Sequence, residues 1–339
     1  MPVNHAQAVL NGERLALTRT LTQIENNTAE GLEILEALFP HTGKAHLIGV
    51  TGAPGTGKST LVNQLALAYR QPADGTIPPR VAIVAVDPTS PFTGGAILGD
   101  RVRMQDLAGD PGIFIRSMAS RGSLGGLAAA TAGLVQVFDA AGFEIIIIET
   151  VGAGQAEVDI ARLAHSTIVV EAPGLGDEIQ TIKAGILEIA DILVVNKSDK
   201  PGAENTLRAL RNMLSMAHPE GKHINHHGQL MEIDSETDQT KNGWIPAVLP
   251  TVATSGEGIP DLVSSLNAHI DFLKSSDLWQ LREEKRLKNQ LETLLGTALR
   301  SRWEKSISPD IYQAALAKVI KRELSPWRAV EELIQGAGL

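Results

Sequence analysis

The sequence predicts an α/β fold, a mostly parallel doubly wound sheet with helical extensions at both ends, and a few observations carry that prediction. The first is the stretch Gly52-Ala53-Pro54-Gly55-Thr56-Gly57-Lys58-Ser59, set between the apolar run Leu47-Ile48-Gly49-Val50 and a helix-like segment from Leu61 to Ala68. Another is a set of short, continuous apolar runs, of which Val81-Ala82-Ile83-Val84-Ala85-Val86 is the clearest. Such runs suit strands buried on both faces, as parallel strands between helix layers are. The last is the alternation of these runs with helical stretches, which places ligands at the carboxyl ends of the strands.

Between residues 3 and 38, apolar positions recur at helical spacing through Val9, Leu10, Leu15, Leu17, Leu21, Ile24, Leu32, Ile34, Leu35 and Leu38. A helical preface is expected there. Phe39-Pro40-His41-Thr42-Gly43 ends it, and the first strand is expected at about 45 to 51. Further strands are expected at 81–86, 113–116, 144–150, 167–171, 192–196 and 247–253, with helices near 100–108, 125–141, 157–164, 178–189 and 204–216. Residues 217–244 break this rhythm, being polar and poor in aliphatics, and read as a surface insertion. Their histidines, His218, His223, His226 and His227, raise the question of a metal site. Without cysteine or helical i, i+4 pairing, a solvated loop is the better reading.

Beyond Ile259-Pro260 a helix is expected to about Leu273. Another begins near Asp277, whose side chain could cap it with Gln280 at the third position, and carries Leu281, Leu287, Leu291, Leu294, Leu295 and Leu299. Ser308-Pro309 and Ser325-Pro326 each resemble an N-cap followed by proline at the first helical position. The expected division is a helical extension at 1–43, a nucleotide domain at 44–275 that carries the insertion, and a helical arm at 276–339. Because the leucine-bearing helix follows a completed sheet, it suits pairing of two subunits better than packing on its own core.

With 339 residues and 43% hydrophobic content, the chain can build a sizeable core. A net charge of −9 argues against broad binding to nucleic acid or anionic membrane, which needs clustered Lys and Arg. The absence of cysteine excludes disulfides, thiolate zinc sites and cysteine nucleophiles. Residues 1–10 are neither basic nor followed by a signal-like region, and no apolar run approaches membrane-spanning length. A cytoplasmic protein is expected.

The glycine-rich stretch has the chemistry of a phosphate-binding loop. Its glycines let backbone N–H groups turn inward around phosphate, and the following helix presents its positive end to the same anion. Gly52 to Ser59 and Thr60 are the expected phosphate contacts, with Lys58 reaching the β and γ phosphates and the Ser59 hydroxyl on Mg²⁺. Asn196-Lys197-Ser198-Asp199 ends a later strand, and a carboxylate at Asp199 can accept from the ring N–H and exocyclic amine of guanine. GTP rather than ATP is therefore expected. Ser255 and Gly256, after the last strand, are placed to complete the base pocket.

Glu149 closes the isoleucine run 145–148 and is followed by Gly152, the arrangement of a metal-site acid before a γ-phosphate-sensing glycine. A carboxylate there would be costly to bury without a partner such as Mg²⁺ or its water shell. Asp87, at the end of the second strand, is its expected companion, against the simpler reading of a turn-starting residue. The glycine-rich segment 92–104 is a candidate switch, with Asp100 as a Mg²⁺ or water partner and Arg101 or Arg103 meeting phosphate or an acidic partner. Solvated charges at a helix start explain those residues equally well. Pro173 to Lys183 is either a further nucleotide-responsive loop or an ordinary strand-to-helix turn.

Several of these runs together resemble the MeaB/ArgK family. They are Val86-Asp87-Pro88-Thr89-Ser90, Gly94 to Arg101, Glu149-Thr150-Val151-Gly152-Ala153-Gly154-Gln155, Pro173 to Glu178 and Asn196 to Asp199. The likeness spans roughly residues 45 to 275 in order. It implies a P-loop GTPase of the SIMIBI class, related to the human methylmalonic aciduria type A protein and homodimeric. Such a protein acts as chaperone to an adenosylcobalamin-dependent acyl-CoA mutase, methylmalonyl-CoA mutase or a relative, gating cofactor loading and removal of damaged cobalamin. The resemblance also implies that Ser59, Asp87, Asp100 and Glu149 surround Mg²⁺, and that residues 174–183 form a switch in which Gln180 and Lys183 help the stimulated reaction. The insertion is longer than the family's usual one, and Pro91-Phe92 is closer to the ArgK branch. The chain has no Asp-x-His-x-x-Gly signature, so cobalamin is expected on the partner rather than on this chain.

The expected reaction is hydrolysis of GTP to GDP and phosphate, by positioning and charge neutralisation. Gln155, or a group brought by a partner, would orient the water. A slow intrinsic rate is expected, since no Arg or Gln holds an unambiguous catalytic position. The rival readings are an ArgK-type kinase that passes the γ-phosphate to a protein acceptor, and a nucleotide-gated metallochaperone, disfavoured by the absence of cysteine.

Overall fold

The computed structural model describes residues 2–72, 75–88, 104–107, 109–120, 124–150, 156–174, 188–217 and 243–336. Its centre is a sheet of seven strands, β1 (His46–Thr51), β2 (Val81–Pro88), β3 (Ile113–Ser120), β4 (Ile145–Thr150), β5 (Ser166–Glu171), β6 (Ile192–Asn196) and β7 (Ala247–Thr251). All pairings are parallel, in the order β3-β2-β4-β1-β5-β6-β7. β1 therefore stands in the middle, with the earlier strands on one flank and the later ones on the other. The crevice beyond its carboxyl end is the switch point at which such sheets bind ligands.

Alternation along each strand builds two layers. Ala82, Val84 and Val86 of β2, with Ile146 and Ile148 of β4, face α2 (Arg14–Glu25), α3 (Ala29–Leu38) and α5 (Leu124–Ala140). Val81 and Ile83, with Ile145 and Ile147, face α4 (Lys58–Arg70) and α8 (Ile259–Ser275). The helical preface is thus a covering layer, begun by α1 (Pro2–Leu10) and tied to β3 where Arg116 pairs with Glu25 at 2.5 Å. Thr28 caps α3 by accepting from Gly31 N–H at 3.0 Å. The remaining helices of this part are α6 (Ala156–Leu163) and α7 (Ala203–Ala217). Gly49 lets α6 sit close on β1, since a Cβ there would lie 2.6 Å from an Ile160 methyl.

The chain divides into two compact units, Met1–Leu287 and Lys288–Leu339. Helix α9 (Leu278–Ser306) begins in the first and continues into the second. The second unit also holds α10 (Pro309–Ile320) and α11 (Pro326–Gly336), and buries Ile307, Ala329 and Leu333. Both proline-started helices have the expected caps: Ser308 Oγ accepts from Asp310 N–H, and Ser325 Oγ from Arg328 N–H, each at 3.3 Å.

Some local expectations change. β3 extends to Ser120, because β2 pairs with it as far as Pro88. Gln105–Leu107 is a single 3₁₀ turn. Asp277 holds φ 58°, in the left-handed region rather than the extended backbone of an N-cap. Trp244, assigned to the polar insertion, packs on His269 and Phe272 and donates its indole N–H to Asp191 O at 2.9 Å. The insertion's histidines lie outside the described residues.

Candidate functional site

β1 ends at Thr51, and the following loop turns on glycines in left-handed backbone, Gly52 at φ 137° and Gly57 at φ 90°. A side chain at Gly52 would collide with the Val170 carbonyl of β5, and one at Gly57 would come within 2.5 Å of Asn196 Nδ2. The close approach of neighbouring strands therefore requires glycine at both. Helix α4 starts at Lys58, and Gly57 before it makes no side-chain cap, the setting in which a helix start suits an anion. The Thr56 hydroxyl closes the loop by donating to Ala53 O at 2.9 Å. Lys58 is buried, and its ammonium donates to Gly52 O at 2.8 Å and Ala53 O at 3.0 Å.

Pairing of β1 with β4 sets Glu149 opposite Val50, beside the start of α4. The Ser59 hydroxyl donates to Glu149 Oε1 at 2.6 Å, and the carboxylate is only 4% exposed. Next to it the Thr150 hydroxyl donates to that of Thr51 at 3.3 Å. A hydroxyl and a carboxylate oxygen converging at the head of a phosphate-loop helix are hard donors that fit Mg²⁺. Asp87 lies in β2, whose Ala85 is paired with Glu149, so its backbone continues along the same end of the sheet.

From the other flank, Asn196 at the end of β6 staples the loop in place. Its amide N–H donates to Thr56 O at 2.8 Å, while its oxygen accepts from Ala253 N–H at 3.0 Å and the Thr251 hydroxyl at 3.2 Å. Lys197, at φ 57°, crosses to Gly55 O at 2.6 Å. Asp199 follows and is exposed to solvent. Ser255 and Gly256 form a turn whose N–H groups both donate to Val252 O at 3.0 Å. Gly52 through Thr60, Glu149, Asn196, Lys197, Asp199, Ser255 and Gly256 thus gather at one end of the sheet, contributed by β1, α4, β4, β6 and the turn after β7. Asp100, Gly152, Gln155, Gln180 and Lys183 lie outside the described residues, as do Arg101 and Arg103.

Thr251 was not singled out from the sequence. Its signal is a hydroxyl residue ending an apolar strand next to the Ala253–Gly256 segment, and only the β6–β7 pairing of Asn196 with Thr251 gives it a role. A buried polar cluster also lies at the opposite end of the sheet, around His46, His165, Asp191 and Glu283. Histidines bounding apolar strands are the only hint of it.

The family model described as "Methylmalonyl Co-A mutase-associated GTPase MeaB" matches residues 17–307. A Pyrococcus abyssi protein whose name carries the word GTPase is 41% identical over 332 residues, covering 97% of this chain and 95% of its own. The GTPase ArgK of Escherichia coli is 33% identical over 330 residues, covering 95% and 92%. Among solved structures, that of a LAO/AO transport system kinase has a TM-score of 0.69 at 25% identity and covers 100% of this chain and 98% of its own.

Proposed function

The chain belongs to the MeaB family of P-loop GTPases, and from that premise we propose that it is a GTP-driven chaperone of an adenosylcobalamin-dependent acyl-CoA mutase. The observation that carries this reading is the family match across residues 17–307, together with a loop held from the β6 side by Asn196 and Lys197. In this reading Asp199 selects guanine, the α4 amides and Lys58 hold the phosphates, and Ser59 with Glu149 holds the cation, joined by Asp87 and Asp100. Mg²⁺, when bound, neutralises charge on the β and γ phosphates. Lys58 leaves the Gly52 and Ala53 carbonyls for phosphate oxygens as substrate enters. Gly152 senses the γ-phosphate, Gln155 orients water, and Gln180 and Lys183 assist when the partner docks. Intrinsic hydrolysis is slow, and cobalamin stays on the mutase.

The helical arm at 276–339 serves as the dimerisation element. Leu291 (67% exposed), Leu295 (56%) and Leu299 (49%), spaced four residues apart along α9, support this, since a contiguous exposed apolar stripe marks an interaction surface. The test is to purify the protein from its native host and identify what accompanies it. GTP hydrolysis and adenosylcobalamin loading are then measured with and without the recovered mutase. Association with a mutase subunit and a hydrolysis rate raised by at least about tenfold are expected. Repeated absence of any cobalamin-dependent mutase, or transfer of the γ-phosphate to a protein acceptor in place of release, would sink the proposal.

A further inference from the structure

At the end of the sheet opposite the phosphate loop, the starts of β1, β5 and β6 meet α8 and α9 among buried polar side chains that the nucleotide site does not use. His46, His165, Ser166, Asp191 and His269 are each at most 3% exposed. His46 Nε2 lies 2.7 Å from Ser166 Oγ, which lies 2.7 Å from His269 Nδ1, and His269 Nε2 faces Asp191 Oδ1 at 3.5 Å. Arg282 of α9 clasps both Asp191 oxygens, at 3.0 and 2.8 Å, and also donates to the His165 carbonyl. His165 Nε2 lies 2.5 Å from Glu283 Oε1, and Arg286 binds that carboxylate through two contacts of 2.8 Å. The Trp279 ring covers His165 at 4.0 Å between centroids.

Hydrogen-bond roles place the protons. Leu47 N–H donates to His165 Nδ1 at 3.1 Å, so that nitrogen holds a lone pair and the ring proton sits on Nε2, given to Glu283. Asp191, bound by Arg282 and by Thr167 N–H, can only accept. The charge of Asp191, 3.5 Å away, favours an Nε2–H on His269, the arrangement in which Ser166 donates to His269 Nδ1 and His46 Nε2–H donates to Ser166. With the three imidazoles neutral, Asp191 and Glu283 balance Arg282 and Arg286.

We propose that this cluster is a proton-operated latch, which holds residues 278–287 of α9 on the sheet while His165 is neutral and releases them when His165 takes a second proton on Nδ1. That proton would aim one N–H at another, the Leu47 amide, and add a positive charge beside Arg282 and Arg286, with His46, His269 and Lys274 close by. Burial and the two guanidiniums hold His165 below the ordinary histidine range, outweighing the upward pull of Glu283. Lifting Trp279 and Glu283 away returns the ring to water and to its ordinary value. Opening therefore takes up a proton, and one unit below a free-histidine value of about 6.5 the latch is weakened about tenfold. β1 and β6 also carry the phosphate loop and Asn196 at their other ends, so the latch ties α9 to the strands that hold the nucleotide site.

The test uses the full-length protein. Hydrogen exchange of residues 278–287, corrected for intrinsic rates, is compared at about pH 7.5 and about pH 5.5, which straddle the histidine range. In the wild type, protection there falls about tenfold and lies below that of β4 at both values, because opening of 278–287 does not require global unfolding. His165→Asn offers an amide oxygen to Leu47 but cannot ionise, and it keeps its protection at both values. Nitrogen-15 spectra of the wild type report the Nε2–H tautomer for His165 at the higher pH. Unchanged wild-type protection, residues 278–287 exchanging no faster than β4, loss in His165→Asn matching the wild type, or an Nδ1–H tautomer would each overturn the latch. If His165→Asn does not fold, the wild-type exchange and the tautomer decide.

Discussion

Gly57 shows how one absent side chain organises the site. It holds φ 90°, and a methyl group there would come within 2.5 Å of the Asn196 amide that staples the loop. Gly57→Ala should raise the Kd for GTP by about 10- to 100-fold, the equivalent of 1–3 kcal/mol of backbone strain. Titration with a fluorescent GTP analogue measures this, and binding unchanged within twofold or so would show that the loop can rearrange freely. The Ser59–Glu149 contact leads to a second expectation. Glu149→Gln keeps an oxygen acceptor for Ser59 but removes the charge proposed to hold the cation. Hydrolysis should slow by about 100-fold or more, with GTP affinity changed by less than about tenfold. Single-turnover kinetics beside equilibrium binding separate the two effects. Of the residues in this site, the loop and Asn196-Lys197-Ser198-Asp199 were legible from type and spacing alone. The link from Asn196 to Ala253 and Thr251 was not, because it depends on β7 lying beside β6.

At the scale of elements, the strands and helices of the described regions fall close to where apolar period places them, since a parallel strand covered on both faces must be apolar throughout. What periodicity misses is how an element is anchored. Asp139, near the end of α5, accepts from the N–H groups of Gly43 at 2.6 Å, Lys44 at 3.2 Å and Ala45 at 3.1 Å, fixing the chain as it runs into β1. Asp139→Ala would leave those donors without the carboxylate and should destabilise the protein by about 2–4 kcal/mol. Urea denaturation checks this, and a loss below about 0.5 kcal/mol would mean that water replaces the carboxylate readily. Sequence offered no sign of this anchor, because Asp139 lies 94 to 96 residues from its donors.

For the whole molecule, acid stability follows from which groups are buried and in what form. Burial first, then repulsion from His165, His269 and Lys274, drives His46 well below 6.5, and His165 is lowered as well. The unfolded chain thus binds more protons than the folded one below about pH 6.5, and stability falls as pH drops through that region, by up to about 1.4 kcal/mol per unit for each histidine. Glu283 acts lower down. Burial pulls it up, but hydrogen bonds from His165 and Arg286 outweigh that and bring it to about 2. Its contribution is complete above its ordinary 4.5 and is lost as pH falls from there toward 2. Chemical denaturation across pH should therefore show decline beginning near neutrality; a flat profile down to about pH 5 would contradict it. The proposed dimer has its own test. Trp327→Glu, on an 85% exposed side chain, should shift sedimentation from dimer to monomer while leaving the helical circular dichroism unchanged. A variant that stays fully dimeric would move the interface elsewhere, and a monomeric wild type would overturn the dimer.

Residue type and spacing alone mark the glycine-rich loop at 52–59, the Asn196–Asp199 turn, the alternating α/β order and the acid closing the isoleucine strand. Each of these is written in residue type, spacing or period over a few consecutive positions. Tertiary structure alone decided that β1 lies between β4 and β5, which brings Glu149 to Ser59 and Asn196 to Thr56. It alone assembled the latch, whose members span His46 to Arg286. The physical reason is that hydrogen bonds and ion pairs act over about 3 Å in space. The residues they join here stand tens to more than a hundred positions apart, and nothing in the chain marks them as neighbours until the sheet has formed.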